Sequence, residues 1–373
     1  MFKQLVLPEN IRSDPKRISY EFKVHTAFKY LRNRDFLHYG SSFVPEMIGA
    51  HTWTLAWAYI REIDDIIDYP SYSYEFKMQI LRREKETIED VFANRFEFKP
   101  NMPFRYMWLE QFLDNVNKYY DPSVLNIIWE LYQSAIRDVN RQFKILSQDE
   151  MYTLVYQKAT CFFKLYFTLG QFDLGEYLNE LADTLGRGLG ILDDALDFVA
   201  DYKAGYINVT REELKILGID VPPEDEKFVD ELIKRGYYTL KSIEVMKLFL
   251  RAREIAREIR NPIFRNLILR LTEIFAAPIL EGRFFPGQRY FFKGEKILNK
   301  ILPYNEHAAY RIGHKLIGYI LKIPQVSPSL FDAFRRAMFT DGKVNRFITH
   351  LIHRQIRKKK GIKLNLSFLK NLL

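Results

Sequence analysis

From Trp53 to Asp68 the apolar residues fall at spacings of three and four. Leu55, Ala56, Tyr59, Ile60, Ile63 and Ile67 make one stripe of a helix. The same period runs through 124–143 in Leu125, Ile128, Leu131, Tyr132, Ala135 and Val139, behind Asp121-Pro122-Ser123, a favourable helix start. Residues 147–170 open on Ser147 with Glu150 three positions later, the spacing of a capping box, and Gly170 is a natural stop. A further helix is predicted from about Glu176 to about Asp201, and 226–260 reads as two helices meeting near Gly236. No run alternates as a strand would, and prolines at 70, 100, 103, 122, 222, 223, 262 and 286 punctuate the helices. The expected class is all-α, without a repeat period or a low-complexity linker.

Two of these helices carry the same unusual feature. The stretch IDDIIDY (63–69) holds Asp64, Asp65 and Asp68, and LDDALDF (192–198) holds Asp193, Asp194 and Asp197, with Asp201 one turn on. At about 100° per residue, Asp64 and Asp68 lie about 40° apart, and Asp193, Asp197 and Asp201 follow at i, i+4 and i+8. Like charges so placed destabilise a helix by roughly 0.2–0.5 kcal/mol per pair. A solvated acidic face would explain either triplet alone. Both, however, sit among apolar residues: Ile63, Ile66 and Ile67 in one, Leu192, Ala195, Leu196, Phe198 and Val199 in the other. Carboxylates gathered in such surroundings call for a cation. Oxygen-only donors suit Mg²⁺ or Mn²⁺ shared with substrate phosphates. An apolar cavity beneath them suits the greasy chain of a diphosphate ester, and aromatic walls would stabilise the carbocation left when diphosphate departs.

Composition narrows the picture. With 373 residues, 47% hydrophobic, the chain is long enough for a large core, and its 15% aromatic content suits an apolar cavity. The single cysteine, Cys161, excludes an internal disulfide framework and is expected to be a core thiol in a reducing compartment. The first residues lack the apolar run of a signal peptide. The most apolar stretch, 267–280, is short for a bilayer and contains Arg270 and Glu273. The histidines show no paired ligand spacing. The net charge of +9 is matched by the nine Lys and Arg of residues 342–373, which contain no acid, so the remainder is formally neutral. That segment reads either as a solvated tail or as a polybasic and apolar contact for an anionic membrane surface, and it lacks the interleaved aromatics of a nucleic-acid platform.

The motifs resemble those of a known family. AWAYIREIDDIIDY is similar to the first aspartate-rich motif of the squalene/phytoene synthases, with Arg61 three residues before the acidic pair. GRGLGILDDALDFVADYKAGYIN resembles the second, Asp197 and Asp201 matching its DxxxD and Gly205 its glycine. Between them, SAIRDVNRQFKILSQDEMYTLVY resembles the intervening run, and Tyr152 matches its tyrosine. The likeness spans about residues 35–215. It departs where Gly190 and Asp193 replace a glutamine and an asparagine, and where Tyr206 replaces an arginine. The extra acid makes DDALD similar to the second motif of head-to-tail polyprenyl diphosphate synthases, as does Lys158-Ala159-Thr160 to their lysine–threonine pair, yet the doubled arginine after their first motif is missing.

The resemblance implies a class I isoprenoid-synthase-like bundle, with a helical domain over 1–300 and an extension with a basic tail over 301–373. It implies head-to-head condensation of two prenyl diphosphates. Asp64, Asp65, Asp68, Asp193, Asp197 and Asp201 would hold Mg²⁺ (or Mn²⁺), Arg61, Lys158 and Lys203 would face diphosphate, and Tyr152 would belong to the catalytic set. A terpene cyclase, a head-to-tail synthase and a non-catalytic lipid-binding relative stay open. The expected location is cytoplasmic, peripheral to a membrane if the tail docks. The glycines of GRGLG follow a helix rather than a strand, so they imply close helix approach and not a dinucleotide loop.

Overall fold

The structure is a computed structural model that describes residues 18–32, 51–69, 71–99, 102–280 and 284. The 301–373 extension and its basic tail lie outside the described residues. Among the described residues there are helices and no strand. In chain order they are α1 (Tyr20–Arg32), α2 (His51–Ile67), α3 (Tyr74–Phe92), α4 (Phe104–Tyr119), α5 (Val124–Asn140), α6 (Gln148–Val155), α7 (Cys161–Leu169), α8 (Leu178–Leu196), α9 (Phe198–Lys203), α10 (Arg211–Leu217), α11 (Phe228–Arg235), α12 (Tyr237–Glu258) and α13 (Pro262–Leu280).

The local signals explain most of the boundaries. Ser147 and Glu150 close the expected capping box at the start of α6, and Thr210 with Glu213 closes a second one at α10. Gly236 ends α11 in the left-handed region, which an L side chain resists, and α12 begins at the next residue. Two predicted helices differ in form. The 147–170 segment is not one α-helix: a π-turn over Tyr156–Thr160 separates α6 from α7. The predicted helix through the second triplet breaks at Asp197, between α8 and α9. Just past the break, fully buried Phe198 stacks on Tyr237 at 4.3 Å.

The chain divides into two compact units, residues 1–190 with 200–220, and residues 191–199 with 221–373. In the first, α2 is the central helix and packs against α1, α4, α5 and α7. Trp53, Leu55, Ala56, Ala58 and Tyr59 are buried on it. One turn before the acids lies a sealed polar cluster. Glu84 of α3, wholly buried, accepts from Arg105 Nε at 2.8 Å and Nη2 at 2.6 Å, from Tyr106 at 2.8 Å and from Tyr59 at 2.9 Å. In the second unit, α12 packs on α13.

Gly186 of α8 shows why the glycine-rich run is needed. A Cβ there would stand 2.5 Å from Thr160 Cα and 2.6 Å from the Ala159 carbonyl. At Gly190 a Cβ would meet Ala159 and Val155 at 3.1 Å. These glycines let α8 lie against the backbone of the π-turn, as expected of close helix approach.

Candidate active site

Along α2 the positions 53, 57, 61, 64, 65 and 68 fall on one stripe, aromatic at first and charged at the end. Arg61 sits at the change. Its guanidinium pairs with Asp64 and reaches Asp65 at 2.9 Å. Tyr30 of α1 donates to the other oxygen of Asp65 at 2.5 Å. Asp65 is thereby engaged in holding Arg61. Burial works against the Arg61 charge, but Asp64, Asp65 and Asp68 outweigh it and raise its pKa further. Asp68 keeps access to solvent yet is hemmed in by protein. Lost hydration, then the like charge of Asp64, push its carboxyl up to about 8.

Asp68 lies in the field of a second group of charges on α5 and the π-turn. Asp138, in the last turn of α5, is buried, and its two oxygens accept from Arg141 Nε at 2.5 Å and Lys158 Nζ at 3.0 Å. Burial alone would raise the Asp138 pKa, but these two cations hold it well below the usual carboxylate range. Buried Arg141 also donates to Asn208 Oδ1 at 2.7 Å, and Asn208 Nδ2 donates to Asp201 Oδ2 at 2.6 Å. Arg141 lies 5.1 Å from the centre of the Tyr206 ring, at the position where the resembled motif has an arginine. Lys77 of α3 feels both Asp68 and Asp138, and burial draws its pKa down.

The first acidic motif is thus linked to Asp201 of the second by a file of polar groups, all within the first unit. Asp138, Arg141, Asn208 and Lys77 were not singled out in the sequence. The visible signal for the first two was an acid and an arginine three residues apart at the end of an apolar stripe.

The other expected residues are placed as follows. Lys158 lies in the π-turn, an irregularity frequent at functional sites, with its side chain 46% exposed. Lys203 is exposed at the end of α9. Tyr152 accepts from Gln148 at 2.6 Å, and Arg187 lies 4.5 Å over its ring. In the second unit, Asp193 is exposed and Asp197 stands at the helix break. Tyr238 of α12 has its phenol raised to about 12, by burial and then by the charge of Asp197.

On the first half of the α2 stripe, Trp53 and Trp57 stack at 5.6 Å. Phe162 of α7 meets them edge-on at 5.1 and 4.7 Å, and Tyr166 meets Trp53 at 4.9 Å. Phe162 and Tyr166 of the 147–170 segment thus gather one to two turns before Arg61.

The donor set fits magnesium in chemistry. It offers carboxylate oxygens, the hard donors that Mg²⁺ prefers. Among the described residues, no three His, Cys, Asp or Glu side chains already converge as a metal-holding group. Mg²⁺ does not require such a cage, since it commonly takes one or two carboxylates and fills its octahedron with water and phosphate oxygens.

No protein-family profile matches the chain, and no curated protein matches it in sequence. Among solved structures, squalene synthase HpnC from Alicyclobacillus acidocaldarius superposes with a TM-score of 0.53 at 17% identity, over 74% of this chain and 97% of that one. The chain has the squalene-synthase fold. A dehydrosqualene synthase structure in complex with a ligand is also similar, at 16% identity and a TM-score of 0.49, over 82% of this chain and 94% of that one. The all-α expectation agrees with the helices described above.

Proposed function

We propose that the protein is a Mg²⁺-dependent prenyltransferase that joins two prenyl diphosphates head to head. The observation that carries this reading is the file of charges from Arg61, Asp64 and Asp68 through Lys158 to Asp201, on a squalene-synthase fold. Asp64, Asp68 and Asp201 would hold the metal, with Asp65 in support. Asp193 and Asp197 are candidate metal ligands by their sequence pattern alone. Bound Mg²⁺ supplies charge neutralisation for the departing diphosphate. Arg61, Lys158 and Lys203 bind diphosphate oxygens. Tyr152 is assigned to the catalytic set by the resemblance alone.

In the reaction, the C–O bond of one allylic diphosphate breaks and its electron pair leaves with the diphosphate. The double bond of the second chain attacks the resulting cation, and loss of a proton closes a cyclopropane ring. Trp57 and Phe162, half-buried beside the sealed Trp53 and Tyr166, are the rings we assign to offering a π-face to such a cation.

The second reading is a head-to-tail synthase or a terpene cyclase, favoured by the additional acid Asp193 in DDALD. Incubation with labelled farnesyl and geranylgeranyl diphosphates in Mg²⁺, read by mass spectrometry, separates the two. A cyclopropyl diphosphate or its hydrocarbon supports the first reading, and an elongated diphosphate or cyclic terpene supports the second. No product from any substrate, with diphosphate released from none, overturns both and leaves a non-catalytic relative.

A further inference from the structure

Asp201 differs from the other acids in how it is held. One of its oxygens accepts from the Asn208 amide at 2.6 Å, and Asn208 is 1% exposed. The amide oxygen of Asn208 is in turn fixed by Arg141 at 2.7 Å, and Arg141 is pinned by Asp138 at 2.5 Å and lies against the Tyr206 ring. Both oxygens of Asp138 are engaged, because the second accepts from Lys158. Each hydrogen bond orients the next group. Asn208 cannot rotate its amide without presenting NH₂ to the Arg141 guanidinium and an oxygen to the Asp201 carboxylate, two repulsive contacts at once. Buried charge-assisted bonds of this kind are short and directional.

We infer that Arg141 and Asn208 are positioning residues that fix the carboxylate of Asp201 for a metal–diphosphate ligand. The inference rests on the function proposed above. It adds a task for two side chains outside the acidic motifs. Asn208 holds the Asp201 carboxylate through one oxygen and so sets its orientation, and Arg141 prevents the Asn208 amide from turning over. Residues behind a metal ligand that orient it in this way change affinity by about 10–100-fold when removed.

The test uses the full chain and inorganic pyrophosphate in Mg²⁺, with binding measured by calorimetry and the thermal midpoint recorded alongside. Asp201→Asn is expected to weaken binding, and Asn208→Ala to weaken it by about 10–100-fold. The double variant is expected to lie within about threefold of Asp201→Asn alone, because the Asn208 side chain acts only through the Asp201 carboxylate that the first change has already removed. Should Asn208→Ala fail to fold, Asn208→Asp carries the test. It keeps an acceptor for Arg141 but replaces donation to Asp201 with repulsion, and the same loss is expected. Wild-type affinity in the folded Asn208 variants, with only the thermal midpoint lowered, overturns the positioning role alone. Additive losses in the double variant also overturn it. Absence of pyrophosphate binding by the wild-type chain overturns the functional reading, and the inference with it.

Discussion

At the scale of single residues, the acidic triplets were legible because their spacing repeats, but their unequal duties were not. Three aspartates within six residues look interchangeable in sequence. In the structure Asp65 is occupied by Arg61 and Tyr30, while Asp68 is the carboxyl whose surroundings disfavour its charge. Asp64→Asn is therefore expected to lower turnover by at least about 100-fold with the circular dichroism spectrum unchanged, since it deletes a charged ligand, a loss of about 2.7 kcal/mol or more. Near-wild-type turnover in this variant, or full activity in EDTA, contradicts the metal assignment. Asp138 was hidden in sequence for a different reason. A lone acid on an amphipathic helix reads as a surface residue until the partners that bury it are known. Its depressed pKa is an acid-stability statement. The charge that Lys158 and Arg141 stabilise is fully present above the unfolded value of about 3.9 and is lost as pH falls toward the lower folded value. Wild-type urea midpoints are expected to fall more steeply below about pH 4 than those of Asp138→Asn, which is weaker at neutral pH but lacks that titration.

At the scale of elements, helix positions were readable and helix irregularities were not. Periodicity located α2, α5 and the α11–α12 pair, and the capping box of α6 was visible in two residues. The π-turn at Tyr156–Thr160 has no comparable signature in the sequence, and α8 lies close against it at Gly186. Likewise the break at Asp197 sits beside a tertiary contact, Phe198 on Tyr237, that no local pattern encodes. The glycine contact has a sharp consequence. Gly186→Ala places a methyl group 2.5 Å from the Thr160 backbone, which cannot rotate away. The variant is expected to lose about 1–3 kcal/mol, the usual cost of overpacking, read as a lowered urea midpoint. Gly175→Ala is the comparison for space, since a Cβ there meets nothing within 4 Å, although its positive φ adds backbone strain.

At the scale of the whole molecule, fold class was recovered from the sequence because every long segment repeats at helical spacing. The division into units was not, since residues 191–199 group with 221–373 while the chain on either side groups with the first unit. Among the described residues no helix is long and apolar enough to cross a membrane. For the basic segment, which reads equally as a solvated tail, we propose contact with an anionic membrane surface. Each Lys or Arg near an anionic bilayer is worth about 1 kcal/mol, and residues 342–373 carry nine against no acid. The full chain is expected to co-sediment with anionic liposomes, less so in high salt. A chain ending at Thr349 is expected to bind more weakly, and neither to prefer neutral lipid. Equal binding by both would remove the tail from the interaction.

The loop after α5 and the loop after α9 run side by side in the first unit. Phe143, left-handed at φ 62°, donates its N–H to the Gly205 carbonyl at 2.7 Å, and Arg211 donates to Leu146 at 3.1 Å. Around them Gln142 reaches Ala204, Arg141 reaches Asn208, and Gln148 reaches Glu212, pairs 62 to 67 residues apart. This seam closes a long loop, and closing one of that length costs roughly 4 kcal/mol of chain entropy before any contact repays it. The Arg141–Asn208 bond of this seam is non-local, whereas the Asn208–Asp201 bond it supports spans seven residues. The same seam ties both ends of the segment between α6 and α9 to each other. A single cut within that segment would leave both fragments attached, and the last acid of the second motif would stay in place although the chain leading to it was broken.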